Sequence, residues 1–180
     1  MRVYVVLGMA LGCAATALAA DQPTDLRRAA GCGPAAAEFS VRTDKHVHTL
    51  ASPQPGKALV YVIVQEKTDP HALLVSDVTT RVGLDGTWLG ANHGSSYLAL
   101  TVDPGEHRMC TDVQSKTKGA GKLNSAADLS TDAGKTYFYR AEVTFAYADH
   151  QAALRLKPID EAEGVLLISK SAFSSWKVKN

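Results

Sequence analysis

The sequence predicts an all-β protein, an antiparallel β-sandwich of about seven strands with an irregular N-terminal arm and a short C-terminal helix. Two observations lead to this fold class. Several segments alternate apolar and polar residues with a period of two, which is typical of a sheet with one face on a core. Turn sequences separate these segments at regular spacing. The chain has 180 residues, enough for one domain with its own core.

Residues 1–19 have the pattern of a secretory signal peptide. Arg2 supplies the positive charge, Val3 to Leu11 form the apolar run, and Ala17-Leu18-Ala19 is a small-x-small cleavage site. The apolar run is shorter than the roughly 20 residues that cross a bilayer, and no other apolar run is long enough. We therefore predict an exported protein, periplasmic or extracellular, with no membrane span. An outer-membrane lipoprotein, with a signal that ends at Cys13, is the alternative.

The charge balance argues against nucleic acid as a partner. Signal removal would take away Arg2, one of 19 Lys and Arg residues, and so leave 18 basic residues against 18 acidic ones. A balanced domain lacks the positive excess that neutralises phosphates in nucleic-acid complexes. The basic loop KTKGAGK (116–122) lacks the upstream Gly and following Ser or Thr of a phosphate-binding loop.

Residues 20–56 are predicted to form an irregular arm, rich in Ala, Pro and Gly, with one short strand at Phe39 to Arg42. Two cysteines, Cys32 and Cys110, remain after the signal peptide. An even number in an exported chain predicts a disulfide bond. Such a bond would tie the arm to the sheet.

The strands of the compact domain are predicted within residues 57–180. The continuous apolar run ALVYVIV (58–64) is typical of a strand that is covered on both faces. In SYLALTV (96–102), TYFYRAEVTFAY (136–147) and AALRLK (152–157) one face is apolar and the other is more polar.

The turns and the helix follow from local signals. Asp85-Gly86 predicts a two-residue hairpin turn, and Asp103-Pro104-Gly105-Glu106 predicts a type II turn. A helix is predicted in IDEAEGVLLISK (159–170), with Pro158 in its first turn, acidic residues at its N-terminus and Lys170 at its exit.

The hairpin register places one aromatic side chain on the outer face of the sheet. With Asp85-Gly86 as the turn, Gly83 faces Trp88 and Val82 faces Leu89, so Trp88 lies opposite the core face with Arg81 nearby. Together with Asn92 and His93, these two residues are the candidate ligand-binding residues. Trp88 is either a platform for a ligand or a surface that the arm covers. A Cys32–Cys110 bond favours the cover.

Enzymatic and metal-binding functions have weaker support. His93 and Ser95 suggest a periplasmic hydrolase as an alternative, but Gly94-Ser95-Ser96 is not a nucleophile elbow. His46 and His48 suggest metal handling from one side of a strand, but two ligands are too few for a site. No catalytic residue, metal site or cofactor is predicted.

Four segments, PGKALVYVIVQEK, TRVGLDGTWLGANHGSSYLALTVDPGEHRMC, LSTDAGKTYFYRAEV and LKPIDEAEGVLLIS, resemble in their order the bacterial domain of unknown function 2846 family over residues 55–170. The CGP arm resembles exported versions of that family. The strand-DG-strand pattern followed by PGEH is also similar to surface-associated Pro-Glu-Gly-Ala domains. The resemblance implies a β domain of the cell envelope and carries no catalytic residue. We therefore predict a non-enzymatic binding or structural module whose partner is an envelope protein or a glycan.

Overall fold

The computed structural model describes residues 29–68, 78–114, 123–146 and 151–179, so the predicted signal peptide and Cys13 lie outside the described residues. Within the described residues the chain forms ten strands and one helix, where about seven strands were predicted. The elements are β1 Phe39–Asp44, β2 Ala58–Thr68, β3 Thr79–Leu84, β4 Thr87–His93, β5 Ser96–Val102, β6 Gly105–Gln114, β7 Asn124–Thr131, β8 Thr136–Ala146, β9 Gln151–Ile159, α1 Glu161–Ile168 and β10 Ala172–Val178.

The strands form two sheets, which confirms the predicted β-sandwich. The six-stranded sheet has the order β1-β10-β5-β2-β8-β9, and the four-stranded sheet has the order β4-β3-β6-β7. The four-stranded sheet is antiparallel throughout. The larger sheet also contains two parallel pairs, β5 with β10 and β2 with β8. The period-two pattern did not reveal these pairs because it reports which face is buried and not which strand lies alongside.

The main core lies between the two sheets and is formed by the apolar faces that the alternation predicted. Tyr139, Ala141 and Val143 of β8 point into it, as expected from TYFYRAEVTFAY. Buried residues of six further strands complete this core: Val60, Val62, Val64, Val82, Leu84, Leu98, Leu100, Val102, Met109, Val113, Leu129, Leu154 and Leu156.

A second apolar cluster covers the opposite face of β2. Leu59, Tyr61 and Ile63 pack there with Phe138 and with Ile168 of α1. The segment after β1 closes the same face, because the Ala51 amide donates to the Tyr61 hydroxyl at 2.7 Å and the Tyr97 hydroxyl donates to the Val47 carbonyl at 3.1 Å. The prediction that ALVYVIV is covered on both faces is therefore confirmed.

The predicted hairpin is present, but its register changes after two residue pairs. Asp85 and Gly86 both have positive φ, 51° and 84°, as the predicted turn requires. Gly83 faces Trp88 as predicted, whereas Val82 faces Gly90 and not Leu89. A β-bulge between the Val82 and Gly83 pairs causes this shift, and it leaves Leu89 of β4 without a partner residue in the register.

The C-terminal helix begins two residues later and ends two residues earlier than the sequence predicted. Asp160 is its N-cap, and the Asp160 carboxylate accepts from the Glu163 amide at 2.8 Å. Pro158 lies in β9 and not in the helix, and a strand at the edge of its sheet tolerates proline. In the described part of the chain, no helix is long and apolar enough to cross a membrane.

Candidate functional site

The outer face of the four-stranded sheet carries the predicted disulfide. Cys32 and Cys110 are bonded, with their Cα atoms 5.0 Å apart, and both are buried. Cys110 lies opposite Gly83 of β3 and Ala126 of β7, so the bond fixes the arm near the middle of this sheet. Closing a loop of 78 residues stabilises the folded chain by about 4 kcal/mol on the chain-entropy model.

The arm packs on Trp88, which remains partly exposed. The indole Nε1 donates to the Pro34 carbonyl at 2.8 Å. Gly33 lies directly on the ring, because a Cβ atom on Gly33 would come within 2.4 Å of Trp88 Cδ1. Trp88 therefore serves as a surface for the arm, and glycine is required where the backbone approaches the ring so closely.

Arg81, beside the same ring, connects the sheet to the arm. Its Nε and Nη2 atoms donate to the two carboxylate oxygens of Asp112, both at 2.6 Å. Its Nη1 atom donates to the carbonyl oxygens of Ala35, at 3.1 Å, and Ala37. The guanidinium carbon lies 4.6 Å from the centroid of the Trp88 ring, within cation–π range.

Gln114, at the end of β6, holds the point where the arm becomes β1. Its side-chain carbonyl accepts from the Phe39 amide at 2.6 Å, and its side-chain amide donates to the Phe39 carbonyl at 3.1 Å. We call the groups that fasten the arm, namely the disulfide, Trp88, Arg81 with Asp112, and Gln114, the latch. Sequence reasoning missed Gln114 because no local pattern marks a long-range contact of this kind.

Asn92 is fully buried and takes part in a polar network between β4, β5 and β10. Its amide donates to the Val62 carbonyl at 3.3 Å, and its side-chain oxygen accepts from the Ser96 hydroxyl at 3.4 Å. The Ser174 hydroxyl donates to Ser96 at 2.8 Å. This network satisfies polar groups inside the fold, so the structure gives Asn92 an internal structural role.

His93 is the last residue of β4 and Ser95 lies on the short turn before β5, but the described structure does not join them by a hydrogen bond. His93 Nδ1 contacts the Thr79 hydroxyl at 3.4 Å. The Ser95 hydroxyl accepts from the Glu66 amide at 3.0 Å. Both contacts hold the turn against neighbouring strands, and they differ from the nucleophile–base hydrogen bond of a hydrolase.

His46 and His48 follow the end of β1 at Asp44, so the prediction that they share a strand face is wrong. The His46 amide donates to the Asp44 carboxylate at 2.8 Å, and His48 Nδ1 lies 3.2 Å from the Ile168 carbonyl. Within the described ranges, no three His, Cys, Asp or Glu side chains are grouped as metal ligands.

The outer face of β2, β8 and β9 in the six-stranded sheet carries a group of cations that the sequence reasoning did not single out. We call Lys67, Arg140, Arg155 and Lys157 the basic strip. Arg155 and Lys157 are exposed, and Arg140 is partly buried. The alternation in TYFYRAEVTFAY and AALRLK places Arg140, Arg155 and Lys157 opposite the core, but only the strand pairing brings them together and adds Lys67 of β2.

No family model, curated protein or solved structure matches the chain. The function must therefore be inferred from the latch and the basic strip themselves.

Proposed function

We propose that the protein is an exported, non-enzymatic β-sandwich module of the cell envelope, periplasmic or extracellular, which binds another envelope component, a protein or a glycan. The Cys32–Cys110 bond is the observation that carries the proposal. It lies buried within the contact between arm and sheet, and disulfides persist in oxidising compartments outside the cytoplasm. The signal-peptide pattern of residues 1–19 and the resemblance to the domain of unknown function 2846 family also support it.

The non-enzymatic character is supported by what the candidate polar residues bind. Arg81 is paired with Asp112, Asn92 is bonded to the Val62 carbonyl, and His93 contacts Thr79. These contacts hold the strands and the arm together inside the protein. We therefore propose that a partner meets the protein on its exposed surface and not at these side chains.

Export and oxidation can be tested on the protein from its own cells. Cell fractionation followed by mass spectrometry is expected to find a mature chain that begins at Ala20 in the envelope fraction. Differential alkylation is expected to find Cys32 and Cys110 linked. Two freely alkylated thiols in the native protein, or an uncleaved chain in the cytoplasm, would contradict the proposal.

Envelope binding and the lack of enzymatic activity need separate measurements. The purified mature protein is expected to sediment with isolated envelopes and to remain in solution without them. A panel of ester, glycan and peptide substrates is expected to show no turnover. Hydrolysis that disappears in Ser95→Ala, with the variant still folded, would establish the alternative function and overturn this one.

A further inference from the structure

The basic strip is assembled by three neighbouring strands of the six-stranded sheet. Arg140 of β8 lies directly opposite Lys157 of β9, and Glu142 lies opposite Arg155. On the other side of β8, Lys67 of β2 lies beside Thr144. Cations therefore lie at three successive positions along these strands: Arg140 with Lys157, then Arg155, then Lys67. Successive positions are two residues, or about 7 Å, apart.

The arrangement is unfavourable for the fold alone. Like charges directly opposite each other destabilise an antiparallel pair, and Arg140 and Lys157 are in this position. Arg140 is compensated by Glu163 of α1, and Lys67 by Glu142 at 2.9 Å.

Arg155 and Lys157 keep their charges available. Neither makes an ion pair with any residue that the structure describes. Together with Arg140 and Glu142 they line a shallow cavity of about 110 Å³. The cavity is open to solvent and large enough to admit an anionic group.

The surrounding cations stabilise a carboxylate on this face. A hydrogen bond from Lys67 holds the pKa of the Glu142 carboxyl below its ordinary value. Attraction to Lys67, Arg140 and Lys157 acts in the same direction, and partial burial opposes it. The ionised form of a carboxyl group is thus stabilised on this face, and the carboxylate of a ligand would be stabilised in the same way.

The composition of the strip indicates the class of ligand. On the same face Gln65, Glu142 and Thr144 are polar, while Ile63 beside Arg140 is fully buried and Ile159 beyond Lys157 is partly buried. The exposed surface between Lys67 and Arg155 therefore has no large apolar side chain. Protein interfaces have an apolar or aromatic centre, and membrane-surface segments insert apolar residues. A hydrated polyanion, by contrast, can bind through ion pairs and hydrogen bonds without an apolar contact surface.

We propose that the basic strip binds an acidic polysaccharide of the cell envelope, whose carboxylates contact Arg155 and Lys157. This inference rests on the proposed function, and it names the class of partner.

The test uses polygalacturonate as the acidic probe and neutral dextran as the matched uncharged polymer, with the purified mature protein. Binding to polygalacturonate is expected, with an affinity that falls as salt is raised, and none to dextran. The Arg155→Gln/Lys157→Gln variant is expected to bind about 25-fold more weakly, because each of the two basic residues contributes roughly a factor of five near an anionic surface.

The chain offers a matched control away from the strip. Lys45, after β1, and Lys135, between β7 and β8, are also exposed, and within the described residues neither forms an ion pair, so Lys45→Gln/Lys135→Gln removes the same charge elsewhere. This control is expected to bind like the wild type. Equal weakening by both variants, equal binding of dextran, or no binding to polygalacturonate at low salt would overturn the inference.

The outcome separates this inference from the proposed function. If the protein sediments with envelopes but both double variants sediment equally, the module binds an envelope component through another surface, and only the basic strip is refuted. If the wild type sediments with no envelope preparation and binds no polyanion, the proposed binding function fails as well.

Discussion

Arg81 and Asp112 lie opposite each other on β3 and β6 and form two hydrogen bonds of 2.6 Å each. Both side chains are almost completely buried, with 7% and 1% of their surfaces exposed. The pair lies under the arm, and Arg81 uses its remaining Nη1 atom on the Ala35 and Ala37 carbonyls. A polar pair at the centre of the latch therefore determines where the arm can lie.

Asp112→Asn is expected to destabilise the protein by about 3 kcal/mol, since removing one partner of a buried pair leaves the other charge uncompensated. Chemical denaturation measures the loss. Asp128→Asn is the control, because Asp128 pairs with Arg108 on the exposed part of the same sheet and should cost less than about 1 kcal/mol. Similar losses in the two variants would show that the pair does not hold the arm.

The glycines of the arm offer a second test of the latch. Gly31 and Gly56 both have positive φ, 84° and 73°, so an alanine is strained at either position. A Cβ atom on Gly31 would come within 2.1 Å of the Arg108 carbonyl oxygen, whereas one on Gly56 would meet no atom within 4 Å. The two positions differ in packing and share the same backbone requirement.

Gly56→Ala is expected to cost about 1 kcal/mol from backbone strain. Gly31→Ala is expected to cost about 1–3 kcal/mol more, because the arm must move away from β6. Denaturation gives the free energies, and iodide quenching of tryptophan fluorescence should increase only in Gly31→Ala, as Trp88 is uncovered. Equal effects of the two substitutions would contradict the close packing of the arm on the sheet.

Local patterns in the sequence predicted the parts of the fold that depend on neighbouring residues. ALVYVIV was expected to be covered on both faces, and the helix and the segment after β1 cover its outer side. The Asp85-Gly86 turn was predicted because Asp-Gly tolerates the positive φ that both turn residues need, and both residues have positive φ. Cys32 and Cys110 could be paired because they are the two cysteines of the predicted mature chain.

The features that the sequence did not predict depend on residues far apart in the chain. The bulge that places Gly90 opposite Val82 coincides with Trp176 of β10, since a Cβ on Gly90 would come within 2.8 Å of that ring. β10 itself, AFSSWKV, has two serines that weaken its strand pattern. The basic strip appears only when β2, β8 and β9 are placed side by side. Local periodicity contains no information on such neighbours.

Two buried threonines provide a test of the core. Thr111 faces the core opposite Val82, and its hydroxyl has no hydrogen-bond partner among the described residues. Thr131 is also buried, but its hydroxyl donates to the Asp103 carbonyl at 2.7 Å. Valine has nearly the same shape as threonine and lacks the hydroxyl.

Thr111→Val is expected to raise the free energy of unfolding by about 1 kcal/mol, because it removes a buried polar group that gains no bond on folding. Thr131→Val is expected to lower it by about 1 kcal/mol, since the Asp103 carbonyl loses its donor. Thermal or chemical unfolding of both variants gives the two signs. A loss of stability in Thr111→Val would show that its hydroxyl is bonded in solution.

His107 and Asp85 form an ion pair beside the β3–β4 turn, with His107 Nδ1 at 2.7 Å from the carboxylate. Burial acts to lower the pKa of His107. The hydrogen bonds to the Asp85 carboxylate and the Asp103 carbonyl, and the negative charges of Asp85 and Asp103, raise this pKa overall. For Asp85, burial acts to raise the pKa, and the hydrogen bonds from the Arg108 amide and His107 lower it overall. Each partner thus stabilises the charged form of the other.

The stability that this pair contributes should depend on pH in a defined direction. The raised pKa of His107 gives stability that is fully present below the unfolded value of about 6.5 and is lost as pH rises through the folded value. The lowered pKa of Asp85 gives stability that is present above about 3.9 and is lost as pH falls through its folded value. His107→Gln should therefore cost more free energy of unfolding at pH 5 than at pH 9. Denaturant titrations at both pH values measure this difference, with His46→Gln, the loss of an exposed histidine after β1, as the control. The same cost at both pH values would mean that the folded protein does not hold the His107 imidazolium against Asp85.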